Sequence, residues 1–105
     1  MIKNQSLEDL AGHVTAEGKT VFLFTADWCG DCQYIYPFLP EIEAANPDFT
    51  FVQVDRDQHM DLAQQWNVFG IPSLVVTENG REVGRLVNKL RKTKDEINAF
   101  LANLT

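Results

Sequence analysis

Cys29 and Cys32 are the only cysteines in the chain, and they stand two residues apart in Trp28-Cys29-Gly30-Asp31-Cys32. A thiol becomes a nucleophile by losing its proton, and two thiols at this spacing can act in sequence. One attacks a foreign disulfide, and the other attacks the resulting mixed disulfide and frees the product. The run before them, residues 20–25 (Thr-Val-Phe-Leu-Phe-Thr), is short, apolar and rich in β-branched and aromatic residues, as in a strand covered on both faces. After them, Ile35, Phe38, Leu39 and Ile42 have helical spacing. Cys29 therefore falls at a helix N-terminus, where free backbone N–H groups and about half a positive charge favour a thiolate. Cys32 falls within the first turn. Cys29 is expected to attack and Cys32 to resolve.

Other uses of the pair fit less well. Ordinary buried cysteines would not need the flanking Trp28 and Gly30. A zinc or iron–sulfur site needs two more ligands, and His13 and His59 are the only histidines, each in a polar stretch that suggests solvation. No metal or other cofactor is expected in one chain, although a cluster shared between two copies stays open. Two cysteines are too few for a secreted disulfide scaffold. No apolar stretch reaches the length of a membrane span or signal segment. A cytoplasmic location is expected, where thiols are kept reduced and a pair of them reads as redox-active.

Charge is uneven along the chain. Residues 1–61 carry eleven acids and three bases, net −8, and residues 62–105 carry four acids and six bases, net +2. The acidic surroundings of the cysteines argue against a nucleic-acid partner. The basic run of residues 91–94 reads as a solvated approach to a helix. Asp31 and Asp27 adjoin the thiols. A carboxylate about 6 Å from a thiolate opposes it by roughly 1–3 kcal/mol. Asp31 is thus expected to raise the Cys29 thiol and favour the reducing direction.

The 105 residues allow one domain, residues 1–105, at about 100–200 residues per domain. With 45% apolar and 23% charged residues, the composition is that of a soluble globular chain able to form a core. Ser6-Leu7-Glu8-Asp9 starts a helix that should stop before Gly18. The helix after the cysteines should run to Asn46-Pro47 as one element kinked at Pro37. A strand over residues 50–55 and a short helix over residues 57–66 follow, with Trp66 expected in packing. Residues 73–77 and 82–87 flank Asn79-Gly80, a strong hairpin signal. Thr93-Lys94-Asp95-Glu96 caps a final helix carrying Ile97, Phe100, Leu101 and Leu104. Residues 1–5 are a weak edge strand. Alternating strands and helices before a hairpin predict an α/β fold of three layers, with a mixed sheet of four or five strands flanked by four helices.

Together the apolar strand, Ala26-Asp27-Trp28-Cys29-Gly30-Asp31-Cys32, Pro37, Val54-Asp55-Arg56-Asp57, Gly70-Ile71-Pro72-Ser73 and Asn79-Gly80 resemble the thioredoxin family over nearly the whole chain. The resemblance implies a thioredoxin fold, a redox-active Cys29–Cys32 disulfide, and a cis Ile71–Pro72 peptide lying against it. It also implies that Trp28, Ile71 and Pro72 line the substrate groove, with Asn88 at its edge where the family commonly has Gly. Gly30 and Asp31 separate the thiols, and Asp31 replaces the common proline. The family's buried Asp and its Lys on the next strand are replaced by Leu23 and Gln53, so the resolving thiol needs another route for its proton. Implied partners are oxidised proteins as substrates and a thioredoxin-reductase-like enzyme or low-molecular-weight thiol as electron donor. A monomer without nucleic-acid or membrane partners is expected. The sequence supports a protein-disulfide reductase first. Second comes a thioredoxin-like binding or chaperone module whose cysteines sense redox state, a reading encouraged by Leu23 and Gln53.

Overall fold

In a computed structural model, residues 1–3 and 5–104 are described. The first helix, α1 (Leu7–Val14), starts at Ser6, whose hydroxyl accepts from the Asp9 N–H at 3.1 Å. Gly18, at φ +80°, then turns the chain into β1 (Lys19–Thr25). Every residue of β1 after Lys19 is buried, as its apolar run requires. The sheet is mixed, in the order β2-β1-β3-β4. β2 (Phe49–Asp55) runs parallel to β1, while β3 (Ser73–Glu78) and β4 (Arg81–Leu86) form an antiparallel hairpin beside it.

Apolar clusters cover both faces. Val21, Leu23, Phe51, Leu74 and Val76 point toward α3 (Leu39–Ala45) and α5 (Lys94–Ala102). Phe22, Phe24, Val52, Val54 and Val75 point to the opposite face, where Leu10 of α1 and Ala63 of α4 (Met60–Gln65) cover them. Full burial of a Phe contributes about 1.5–3 kcal/mol, so Phe22 and Phe24, both 0% exposed, anchor that face. Trp66 packs edge-on against both rings, at 5.2 and 5.9 Å between centroids, as its expected packing role requires. The three-layer arrangement follows.

Four details depart from the sequence-based expectation. The helix after the cysteines is divided into α2 (Gly30–Ile35), a 3₁₀ turn (Tyr36–Phe38) and α3. Pro37 and Pro40 both lack an N–H, so two bonds of a continuous helix are missing within one turn. The helix expected from Asp57 begins at Met60, because the Asp55 carboxylate takes the Asp57 and Gln58 N–H groups at 2.9 and 3.3 Å and makes a turn of them. The edge strand expected in residues 1–5 reduces, among the described residues, to one parallel bridge between Ile2 and Val52; Asn4 lies outside them. Met1 and Ile2 pack on the core, one against each cluster; Lys3 is exposed. His59 is not simply solvated: its Nε2 lies 2.9 Å from the Gln5 carbonyl oxygen and ties down this segment. The hairpin forms as expected, with Asn79 and Gly80 at φ +52° and +84°. A register shift at Val76/Thr77 marks a bulge within it.

Candidate active site

Cys29 is the N-cap of α2 and Cys32 lies in its first turn, and a disulfide joins them with their Cα atoms 5.2 Å apart. The Cys32 N–H donates to Cys29 Sγ at 3.1 Å, so an amide already points at the sulfur that would carry charge after reduction. Cys29 is 5% exposed and Cys32 0%. Ala26, Tyr36 and Ile71 pack around the pair. The Ile71–Pro72 peptide is cis, and the Ile71 carbonyl oxygen lies 3.8 Å from Cys29 Sγ. Cis-proline loop and disulfide are thus in contact, as the family resemblance implies. The turn before α2 is fixed by the Cys29 N–H donating to Ala26 O at 3.1 Å and by the Gln33 side-chain amide donating to Asp27 O at the same distance.

Three large apolar side chains stand exposed near the pair in the chain or on the loops beside it: Trp28, Phe69 and Leu90. The Trp28 indole N–H donates to Asp57 at 2.7 Å, Arg56 Nε donates to the same carboxylate at 3.1 Å, and the Arg56 guanidinium lies 5.4 Å from the Trp28 ring centroid. That interaction also explains why Asp57 does not start α4. The exposed indole is held, not free to swing.

Asp31 is not an isolated carboxylate. It accepts from Arg91 Nε at 3.1 Å, and the Arg91 guanidinium stacks 4.3 Å from the Tyr34 ring centroid. The basic run of residues 91–94 therefore differs from the solvated approach expected of it. Lys92 is fully buried, and its ammonium donates to Asn88 O at 3.1 Å, Asn88 Oδ1 at 2.7 Å and Leu90 O at 2.6 Å. Burial pushes the Lys92 ammonium below its ordinary value, with Glu96 and Asp31 acting in the opposite sense. Asn88, expected at the groove edge, commits its side-chain oxygen to Lys92 and to the Leu90 N–H at 2.9 Å. The backbone of Asn88 and Lys89 presses directly on Gly70, where any Cβ would collide with it. Gly70 is glycine because the loop of residues 88–92 crosses there.

The positions of the family's buried acid and lysine are apolar or neutral in fact as well as in sequence. Leu23 is core, and Gln53, its partner in the β1–β2 register, donates from Nε2 to Thr25 Oγ1 at 3.0 Å. A cleft of about 520 Å³ opens here, lined by Thr25, Asp27, Tyr36, Gln53 and Asp55 among others. Asp27 faces this cleft on one side of the motif, and Asp31 faces Arg91 on another. Gly30 has open space around it and no close neighbour that demands glycine.

Sequence reasoning missed Arg91, Lys92, Tyr34 and the Arg56–Asp57 pair. Arg91 lies 60 residues from Asp31, and no local pattern announces that pairing. The only available hint was charge: a base in the one basic segment of an acidic chain, opposite an acid between the cysteines.

Comparison with known proteins agrees with this geometry. The thioredoxin family model matches residues 2–103. Thioredoxin-2, mitochondrial, of Schizosaccharomyces pombe is 36% identical over 89 residues, covering 85% of this chain and 67% of that protein. An H-type thioredoxin of Fagopyrum esculentum is 38% identical over 81 residues, covering 76% and 67%. Among solved structures, oxidized mitochondrial thioredoxin 3 of Saccharomyces cerevisiae superposes with a TM-score of 0.84 at 25% identity, covering 98% of this chain and 94% of that one. With a Cys29–Cys32 disulfide at the start of α2 and a cis proline against it, the chain belongs to the thioredoxin family of thiol–disulfide oxidoreductases.

Proposed function

We propose that the chain reduces protein disulfides, with Cys29 as attacking thiolate and Cys32 as resolving thiol. The Cys29 thiolate attacks one sulfur of a substrate disulfide, forming a mixed disulfide and releasing one substrate thiolate. Cys32, deprotonated, then attacks Cys29 Sγ, breaks the mixed disulfide and releases the second substrate thiolate. The chain is left as the Cys29–Cys32 disulfide, and two electrons and two protons from a donor restore the dithiol. The observation that carries this reading is the Cys32 N–H aimed at Cys29 Sγ at 3.1 Å, which favours charge on the outer sulfur and not the inner one.

Substrates are oxidised proteins, which meet Trp28, Ile71 and Pro72. The exposed indole beside Cys29 and the Ile71 carbonyl at 3.8 Å from it support that assignment. Asn88 shapes the groove edge through the backbone it lays across Gly70. A thioredoxin-reductase-like enzyme or a low-molecular-weight thiol returns the electrons, and the chain works as a single-domain monomer in the cytoplasm, where thiols are kept reduced. No helix among the described residues is long and apolar enough to cross a membrane. Insulin-disulfide reduction with a dithiol donor tests the reading: wild type should turn over many times and Cys32→Ser should not. Turnover no faster than the donor alone would contradict it and return the binding or chaperone module with a redox-sensing pair.

A further inference from the structure

The structure holds a carboxylate between the two cysteines, where its charge opposes a thiolate at Cys29, and it also holds a cation against that carboxylate. Asp31 accepts from Arg91 Nε at 3.1 Å, and the guanidinium is kept in place from a second direction by the Tyr34 ring at 4.3 Å. The next residue, Lys92, turns the opposite way, into the protein, and fastens the loop of residues 88–92 through three oxygens. Arg91 thus reaches the motif from an anchored base, although its own side chain is largely exposed.

We propose that Arg91 is a positioning residue of the dithiol site: it pairs with Asp31 and offsets its charge, so that the acid between the cysteines does not disfavour the Cys29 thiolate. This rests on the reading of Cys29 as the attacking thiol. The other charged groups near the motif are Asp27 beside the Thr25 cleft, the Asp57–Arg56 pair on Trp28, and buried Lys92. Tyr36 packs against the cluster of Ala26, Cys29 and Cys32. Asp57 already has Arg56, which leaves Asp31 as the acid whose balance depends on Arg91.

The test is the pH–rate profile of alkylation of the reduced protein by iodoacetamide, with the modified cysteine identified by mass spectrometry. Arg91→Gln should move the Cys29 midpoint up by about half a pH unit, and Asp31→Asn should move it down by a similar amount. Arg91→Lys, which keeps the charge, should stay near wild type, and the double variant Asp31→Asn/Arg91→Gln should return close to it. Raising salt to about 1 M should shrink both single shifts. If Cys29 is the residue alkylated and Arg91→Gln leaves its midpoint unmoved, the role of Arg91 is overturned while that of Cys29 stands. If Cys32 is alkylated first, the attacking role of Cys29 fails, and this proposal fails with it.

Discussion

On one flank of the disulfide, Asp57 accepts from the Trp28 indole and from Arg56, and the Arg56 guanidinium lies over the Trp28 ring. On the other, Asp31 accepts from Arg91, whose guanidinium lies over Tyr34. Each flank is an aspartate, an arginine and an aromatic ring, but the two are anchored differently. Arg56 follows β2 directly, and its N–H donates to Thr25 O at 2.8 Å, so the first flank is an extension of the sheet. Arg91 sits on a loop outside any strand or helix, and a buried lysine holds that loop. Strand register is enough to place a partner at the end of a sheet, whereas a partner on a loop needs a tether of its own.

The contrast is broken most severely at Gly70. Gly70→Ala would drive a methyl into the Asn88 carbonyl and the Lys89 amide, so the loop of residues 88–92 must move. A loss of about 1–3 kcal/mol in urea unfolding is expected, typical of overpacking. The Arg91–Asp31 contact should go with it, while Trp28 fluorescence, set by the other flank, stays near wild type.

Lys92→Met attacks the tether itself. It removes the ammonium from Leu90 O and leaves Asn88 Oδ1 with only the Leu90 N–H and Asn88 O with only the Ser73 hydroxyl, at an expected loss of about 1–2 kcal/mol. The variant should also change how stability responds to alkali. Burial lowers the Lys92 ammonium in the folded chain, so in the window from that lowered value up to its ordinary 10.5 the unfolded chain binds more protons. Stability should therefore rise with pH across this window in wild type, relative to Lys92→Met. Equal slopes for the two proteins would contradict the assignment.

Asp57→Ala removes the acceptor of the indole and the partner of Arg56 on the sheet-borne flank. About 0.5–1.5 kcal/mol is expected, with a shift in Trp28 fluorescence and no change at Arg91. The smallest effect belongs to a pair remote from both flanks. Arg85 donates to Glu82 through two nitrogens, and these bonds hold the Glu82 carboxyl below the ordinary carboxylate range. The pair is largely exposed, so Glu82→Gln should cost about 0.2–1 kcal/mol. Because the folded value is depressed, that stability is present above the ordinary Glu value and is lost as pH falls through the folded one. Thermal unfolding at neutral and acid pH reads the difference, and its size calibrates what an exposed pair contributes away from the disulfide.

Sequence pattern reached the features that are local. Ser6 and Thr93 cap their helices as their spacing implied, accepting at 3.1 Å from Asp9 and Glu96 N–H groups, and Asn79-Gly80 turns the hairpin. The cysteine pair at a strand-to-helix junction was visible in the same way. The cis Ile71–Pro72 peptide was visible only through family resemblance, since nothing in its spacing requires it. What escaped involves distant partners or competition for one group. Asp57 starts no helix because the Asp55 carboxylate takes its N–H while its own side chain is used by Trp28, and Lys92 is buried because three oxygens of one loop converge on it. Hydropathy alone reads Lys92 as solvent-facing.

The division of labour between the two sulfurs is tested most directly by trapping. Cys32→Ser and Cys29→Ser are each reduced and mixed with an oxidised protein substrate, and the adducts are located by mass spectrometry. The account predicts a stable mixed disulfide on Cys29 in the Cys32→Ser protein and little or none on Cys32 in the Cys29→Ser protein. Adducts forming equally fast on both sulfurs, or faster on Cys32, would contradict it.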